Sequence, residues 1–284
     1  MKRMIINADD FGLSRAVNDG ILDAARNGIL TSATIMANGP AFDDAIAQAK
    51  TLPALGIGVH LNILRGRPVA VPNPLLLDAE GRFHGGFLGM RARLHNPHFL
   101  QAARTEYRAQ IARVLAAGIR PTHLDSEKHH AAWPALARVV DDLAAEFGIP
   151  AVRVPAEPVV YTARHLPWNG MRRLLEAGML SVIARRLPRA PAHPDHFLGQ
   201  THIGAMTEAV WLALAAHCPD GVTEVMVHPG RANAEEEART VQAMGASWIN
   251  AARAAELAAL LSPAVRTAID TAGIQRISFA ALKG

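Results

Sequence analysis

Short apolar segments alternate with alanine-rich helical segments along the whole of this 284-residue chain. About seven such β-then-α units follow one another, without a linker or a break in composition between them. Strands separated by helices pair in parallel, because each helix carries the chain back to the starting edge of the sheet. The alternation therefore predicts a single α/β domain over residues 1–284.

The element bounds follow from apolar periodicity and from glycine and proline breaks. Strands are expected at 4–8, 32–36, 56–61, 121–126, 152–154, 196–198, 223–227 and 276–279. Helices are expected at 14–27, 41–48, 97–117, 133–147, 170–187, 207–216 and 246–261. Two excursions, at about 65–98 and 156–194, interrupt the rhythm, and excursions of that length usually cover a functional site.

Side chains that bind metals or protons stand at the carboxyl ends of several predicted strands. They are Asp9, Asp10, His60, the run 123–129, Arg153 and His228. A barrel brings such ends together on one face, whereas an open sheet spreads them along a line. We therefore predict an irregular, TIM-like parallel (β/α) barrel of about seven strands.

Composition excludes several classes of protein. The net charge is +4, the basic residues form no cluster along the sequence, and aromatic residues make up only 5% of the chain. These features argue against nucleic-acid binding. Cys218 is the single cysteine, so neither an internal disulfide nor a cysteine-rich metal site can form. Neither a signal-peptide core nor an apolar run of eighteen residues is found, and a cytoplasmic protein without a transmembrane segment is expected.

Two enzyme classes also lack support in the sequence. No glycine-rich nucleotide-binding motif occurs. Lys128 is the only lysine near a strand end, which disfavours a Schiff-base aldolase.

The paired carboxylates Asp9 and Asp10 have two interpretations. One can bind a metal while the other holds a proton, or they can simply cap the helix that follows. His60 is the only polar side chain on its strand, between Val59 and Leu61, and would face the same barrel mouth as Asp10.

The densest polar run is Thr122-His123-Leu124-Asp125-Ser126-Glu127-Lys128-His129-His130. If the strand continues through it, His123, Asp125, Glu127 and His129 share one face. Four polar groups on one strand face need partners, so a site is favoured over a solvated loop.

His228 ends an apolar strand and is followed at once by Pro229-Gly230. A histidine there suits acid or base catalysis, because its ordinary pKa lies near neutrality. Its alternative is a turn histidine bonded to the backbone.

Taken together, these stretches resemble the carbohydrate deacetylase family of the YdjC type. That family includes chitooligosaccharide deacetylases and hopanoid-biosynthesis-associated relatives. The matching stretches keep the family's order over nearly the whole chain. They are IINADDFGLSRAVNDGI, GILTSATIMANG, GIGVHLN, PTHLDSEKHH, VRVP, TEVMVHPG and SPAVRTAIDTAGIQRISF.

The resemblance implies an irregular (β/α) barrel with a divalent metal bound by one aspartate and two histidines. Carried over, Asp10 and His60 are ligands, Asp9 is the catalytic aspartate and His228 is the proton donor. We add Arg153 as a bidentate partner that orients a carboxylate such as Asp9.

One departure concerns the third ligand. The family's run reads His-x-Asp-x-His, and this chain has Glu127 at the last position. A site of Asp10, His60 and Glu127 remains chemically sound for Mg²⁺, Zn²⁺ or Mn²⁺, with His129 as a reserve ligand. His123, Asp125 and His129 are expected to bind substrate.

The predicted activity is metal-dependent removal of the N-acetyl group from an acetylated amino sugar or oligosaccharide, with release of acetate. Two alternatives remain: a metal-dependent hydrolase of another amide or ester, and a degenerate barrel that binds a glycan without turnover. The expected partner is a small N-acetylated sugar, and the sequence allows a homodimer.

Overall fold

The computed structural model describes residues 1–158, 170–185, 189, 191–245 and 251–282. Its eight strands all pair in parallel. They are β1 (Lys2–Phe11), β2 (Ser32–Ile35), β3 (Gly56–Leu61), β4 (His123–Ser126), β5 (Ala151–Val152), β6 (His196–Leu198), β7 (Gly221–Val227) and β8 (Gln275–Arg276).

The strands lie in the sheet in the order β5-β4-β3-β2-β1-β7-β6. This is the cyclic chain order of a barrel, opened between β5 and β6. Across the opening, Ala192 forms an isolated parallel bridge with Ala151 of β5. The short β8 adds to the first residues of β1. The predicted irregular parallel barrel is therefore confirmed, in the form of a curled half-barrel.

Ten α-helices lie in the described part of the chain. They are α1 (Arg15–Arg26), α2 (Phe42–Ala49), α3 (Phe87–Arg93), α4 (Pro97–Ala116), α5 (Pro134–Phe147), α6 (Gly170–Arg185), α7 (Glu208–His217), α8 (Ala234–Met244), α9 (Ala251–Leu261) and α10 (Pro263–Thr271). None of the helices in these residues is long and apolar enough to cross a membrane.

Helix α1 shows why the chain folds as it does near the site. The Ser14 hydroxyl accepts a hydrogen bond from the Val17 backbone N–H at 3.1 Å, which caps the helix directly after the Asp9-Asp10 pair. A Cβ on Gly20 would lie 2.5 Å from Gly230 Cα. Glycine at position 20 thus lets α1 approach the loop that follows His228.

Most predicted elements are found within a few residues of their expected bounds. Helices α3, α8 and α10 were not predicted. Helix α8 has three glutamates in its first turn, helix α10 begins at Pro263 just after the predicted helix 246–261, and helix α3 lies inside the predicted excursion at 65–98. The predicted helix at 246–261 begins at Ala251 in the structure, and residues 246–250 and 186–187 lie outside the described residues.

The fourth strand ends at Ser126, as predicted, so the condition under which His123, Asp125, Glu127 and His129 would share one strand face is not met. Residues Glu127–Ala132 form a 3₁₀ segment. Lys128 and His129 adopt left-handed φ angles of 48° and 53°, which breaks the period-two alternation. The polar run therefore turns over the barrel mouth instead of lining one strand face.

Candidate active site

A cavity of about 750 Å³ opens at the carboxyl ends of the strands. That size suits a small-molecule ligand. Its lining includes both predicted excursions, through Arg65 and Arg91 on one side and through Arg173, Glu176, Met179 and Leu180 of α6 on the other. The floor is formed by Asp9, Asp10, His60, Glu127, His129, Met226 and His228.

The adjacent carboxylates Asp9 and Asp10 point into different environments. Asp10 has a φ of 70°, a left-handed backbone conformation that costs energy for any residue other than glycine. Both residues are 3% exposed. The turn in the backbone at Asp10 separates two groups of charges, which we name the inner and outer clusters.

The inner cluster consists of Asp9, Asp125 and Glu224 around the guanidinium of Arg153. Arg153 donates to both carboxylate oxygens of Asp9 at 2.7 Å and to Glu224 Oε1 at 2.8 Å. Its Nη1 also lies 2.8 Å from Asp125 Oδ2. The four side chains come from β1, β4, β7 and the end of β5, and they are at most 4% exposed.

Electrostatics keeps Asp9 ionised in this cluster. Burial alone would raise the pKa of Asp9, but the charge and hydrogen bonds of Arg153 outweigh it and hold that pKa well below its ordinary value. Glu224 shares the same guanidinium, yet burial prevails there and raises its pKa to about 7. Asp9 is therefore a carboxylate at neutral pH, fixed in position by a bidentate partner.

The outer cluster consists of Asp10, His60 and Glu127 with Arg65 and Arg253. Arg65 Nη2 lies 2.8 Å from Glu127 Oε2 and 3.4 Å from Asp10 Oδ1, and Arg253 pairs with Asp10 Oδ2. Burial would raise the pKa values of Asp10 and Glu127. The arginines, with His60, lower both below their ordinary values.

His60 joins the two clusters. Its Nδ1 lies 2.8 Å from Asp125 Oδ1, and its Nε2 lies 3.9 Å from Asp10 Oδ1 and 3.5 Å from Glu127 Oε2. Burial lowers the pKa of His60, but the surrounding carboxylates, Asp125 above all, raise it well above its ordinary value. Asp125 thereby sets the orientation of the ring and points Nε2 toward the outer cluster.

The outer cluster fits a divalent cation. One ligand atom from each of Asp10, His60 and Glu127 lies within 4.8 Å of the others, and all three residues are buried. A carboxylate behind a ligating histidine, as Asp125 stands behind His60, is a common arrangement in metal sites. A second trio of Asp9, His60 and Asp125 meets the same distance criterion, but Arg153 already occupies its carboxylates.

His228 lies at the cavity, and its backbone N–H donates to Glu256 Oε2 at 2.6 Å. Burial lowers its pKa to about 4, although Asp9 and Asp10 act in the opposite direction. The imidazole is therefore neutral at pH 7 in this state of the protein.

The three predicted substrate-binding residues occupy different places. His129 lines the cavity, with Nε2 2.8 Å from Gln200 Oε1, so Glu127 is the member of the run that gathers with Asp10 and His60. His123 and Asp125 do not line it. The His123 ring stacks on Phe279 at 3.6 Å, in the space left by Gly58, where a Cβ would come within 2.5 Å of that ring. Both residues support the floor from below.

Sequence reasoning missed Arg65, Arg253, Glu224 and Glu256. Three of them carried a signal. Glu224 interrupts an apolar strand, and Arg253 and Glu256 share one helical face with Leu257 and Leu260. A charge on a buried face needs a partner, and that requirement points toward the site.

Comparisons with known proteins identify relatives of this chain. Residues 3–271 match the model of a family described as YdjC-like protein. A carbohydrate deacetylase of Geobacillus stearothermophilus is 33% identical over 277 residues, which cover 97% of this chain and 96% of that protein. One of Brevibacillus brevis is 43% identical over 157 residues, or 54% of this chain and 59% of that protein.

A solved structure also resembles the whole chain. It is a protein of Enterococcus faecalis V583 described as a candidate cellobiose-phosphate cleavage protein. The two share 26% sequence identity at a TM-score of 0.74, with 100% of this chain and 99% of the other covered.

Proposed function

The chain belongs to the YdjC-like family, and from that premise we propose that it is a metal-dependent carbohydrate deacetylase. It hydrolyses the N-acetyl group of an acetylated amino sugar or oligosaccharide, so that acetate and a free amine are released. The relative from Geobacillus stearothermophilus that aligns with 97% of this chain is a carbohydrate deacetylase, which supports the proposal.

One observation carries the proposal. A divalent-cation donor set and a separately held carboxylate share the floor of one cavity. Asp10, His60 and Glu127 provide the donors, and Asp9 stands beside them under the control of Arg153. Amide hydrolysis needs a group that polarises the carbonyl and a base that deprotonates the attacking water, and the proximity of these two sets of side chains supports the proposal.

Asp10, His60 and Glu127 would hold Mg²⁺, Zn²⁺ or Mn²⁺, which would supply a Lewis acid for the acetamide carbonyl and for the attacking water. Asp9 takes the proton from that water. Arg153 keeps the Asp9 carboxylate ionised and correctly turned, because its two N–H groups bind both oxygens at 2.7 Å.

His228 gives a proton to the leaving amine. A neutral imidazole must first take up that proton from solvent, and Asp9 returns the proton of the water to solvent once the amine has left. The carboxylates of Asp9 and Asp10 already raise the pKa of His228 against the effect of burial. Negative charge that develops on the substrate acts in the same direction. His228 therefore becomes a better proton acceptor, and then a donor, as the reaction proceeds.

The test is acetate release from a panel of N-acetylated mono- and oligosaccharides, with and without EDTA and with each metal added back. We expect turnover of at least one sugar, loss of that turnover with EDTA, and recovery with metal. Full activity in chelated protein would contradict the metal dependence. Turnover of simple esters but of no acetylated sugar would favour the other hydrolase class.

A glycan-binding barrel without turnover is the second candidate, and the ion pairs of Arg65 with both Asp10 and Glu127 favour it. The same panel separates the two. Sugar binding without acetate release, in protein supplied with metal, is the outcome that supports it.

A further inference from the structure

Two arginines neutralise the same proposed metal ligand, Asp10. One is fully buried in the protein, and the other lines the cavity. Arg253 belongs to helix α9, its side chain is 0% exposed, and it does not line the cavity. Arg65 belongs to the segment that follows β3, its side chain is 8% exposed, and it lines the cavity. One guanidinium is thus locked inside the protein, and the other borders open space.

The charges of the outer cluster leave little attraction for a further cation. Apart from the His60 ring, the charged groups of the cluster are the carboxylates of Asp10 and Glu127, with two negative charges, and the guanidinium groups of Arg65 and Arg253, with two positive charges. A divalent ion placed among them would meet like charge within a few ångströms, in surroundings that screen poorly. The ion therefore binds well only if one guanidinium moves away.

Arg65 is the group that can move. Its Nη2 lies 2.8 Å from Glu127 Oε2 and 3.4 Å from Asp10 Oδ1, so it occupies the side of both carboxylates that a shared cation would use. The cavity of about 750 Å³ offers it an alternative position. Arg253 has no such space, because every part of its side chain is buried.

We propose that Arg65 is a displaceable counter-ion of the metal site. In the metal-free protein its guanidinium bridges Asp10 and Glu127. In the loaded protein it leaves them and projects into the cavity, where it adds a positive charge beside the substrate. This inference rests on the proposed function, since it takes Asp10, His60 and Glu127 as the metal ligands.

A titration with Mn²⁺ alone, followed by calorimetry on full-length protein stripped with EDTA, tests the inference without any substrate. Arg65→Met removes the competing charge and keeps an unbranched side chain of similar length. We expect it to bind Mn²⁺ roughly tenfold to a hundredfold more tightly than wild type, the size of one charge-assisted hydrogen bond to a carboxylate. Arg67→Met is the matched control. Arg67 is exposed, with only a 3.5 Å contact from Nη1 to the Gly81 carbonyl, and affinity should not change.

The outcomes are distinct. Equal or weaker Mn²⁺ binding by folded Arg65→Met would overturn the inference and leave the proposed function standing. Absence of binding by wild type and variant alike, in titrations with Mn²⁺ and then with Zn²⁺ and Mg²⁺, would overturn both.

A measurement on wild type covers the case in which Arg65→Met does not fold. Phenylglyoxal modifies accessible arginines, and peptide mass mapping locates the modified residue. We expect Arg65 to react faster in the presence of Mn²⁺ and Arg253 to stay protected. Unchanged or slower reaction of Arg65 on metal addition would overturn the displacement.

Discussion

The inner and outer clusters are made of the same chemical groups and behave differently. In the inner cluster one guanidinium satisfies three carboxylates, and all four side chains stand on strands or at strand ends. In the outer cluster the five side chains come from the ends of two strands, a 3₁₀ turn, a loop and a helix. The inner cluster is closed by its own arginine, whereas the outer cluster has room to exchange one cation for another.

The difference shows that a buried group of carboxylates is not by itself a metal site. Two trios have ligand atoms within 4.8 Å of one another: Asp9, His60 and Asp125 form one, and Asp10, His60 and Glu127 form the other. The position of the compensating arginine separates the two cases. Under the proposed assignment, an arginine buried inside the sheet holds a scaffold together, and an arginine at the cavity wall can give way to a bound cation.

Replacing each of the two neighbouring aspartates in turn is the most direct test of the difference between the clusters. Asp9→Asn should keep the metal and lose roughly 10²–10⁴-fold in turnover, the usual size of an acid–base contribution. Asp10→Asn should lose the metal and with it the turnover. Bound metal by elemental analysis and acetate release are the two measurements. If both variants hold metal equally and stay active, the division of roles between the clusters is wrong.

Removal of Arg153 tests whether the inner cluster is a scaffold. Arg153→Met leaves three buried carboxylates without their shared cation, which should lower the free energy of unfolding by about 3–5 kcal/mol. The control is Arg104→Met, since Arg104 is 32% exposed and pairs with Asp142 and Glu146 on the surface. That change should cost no more than about 1 kcal/mol. Urea unfolding of both variants decides, and equal losses would contradict the scaffold role.

Acid should weaken the turn that carries the outer cluster. Burial lowers the pKa of His130 to about 4, so between its ordinary value and pH 4 the unfolded chain binds a proton that the folded protein does not. Stability contributed by His130 is therefore lost as pH falls through that range, at up to about 1.4 kcal/mol per pH unit. His130→Gln should reduce the slope of the unfolding free energy against pH in this range, although His123, His129 and His228, whose pKa values are also lowered by burial, still contribute.

The control for that experiment is His217→Gln. His217 is exposed at the end of α7, so its replacement should leave the slope unchanged. An unaltered slope in His130→Gln would show that the histidine is not buried in its neutral form.

The smallest expected effect concerns the third ligand. Glu127→His should shift metal preference toward Zn²⁺ over Mn²⁺ by about tenfold, because imidazole suits the later ion and carboxylate oxygen the harder one. Glu127→Ala should weaken binding of both ions. Calorimetric titration of the three proteins is the measurement. Identical affinities in wild type and both variants would place Glu127 outside the ligand set.

The sequence predicted the strand ends better than it predicted what surrounds them. Asp9, Asp10, His60 and Arg153 follow short apolar runs whose bounds are visible in one dimension. The end of β4 at Ser126 was predicted, but the turn that follows was not, because Lys128 and His129 adopt left-handed φ angles without a glycine in the run to indicate them.

The arginines of the outer cluster were harder to foresee. Arg65 lies in a segment without periodic pattern, and Arg253 pairs with a residue 243 positions away. Such pairings depend on how the barrel closes. Arg253 did leave a signal in the sequence: it shares one face of the helix with Glu256 and two leucines. Both charged side chains are 0% exposed in a helix that is otherwise mostly alanine and leucine.

The central place of β1 has a consequence for synthesis on the ribosome. Residues 2–8 of β1 pair with residues 221–227 of β7, so the strand that carries both aspartates lacks one neighbour until the last quarter of the chain emerges. At 5–20 residues per second this interval is roughly 10–40 s. Until β7 is made, the edge of β1 that β7 covers has no partner strand, and an unpaired edge that carries the apolar run from Met4 to Ile6 favours aggregation.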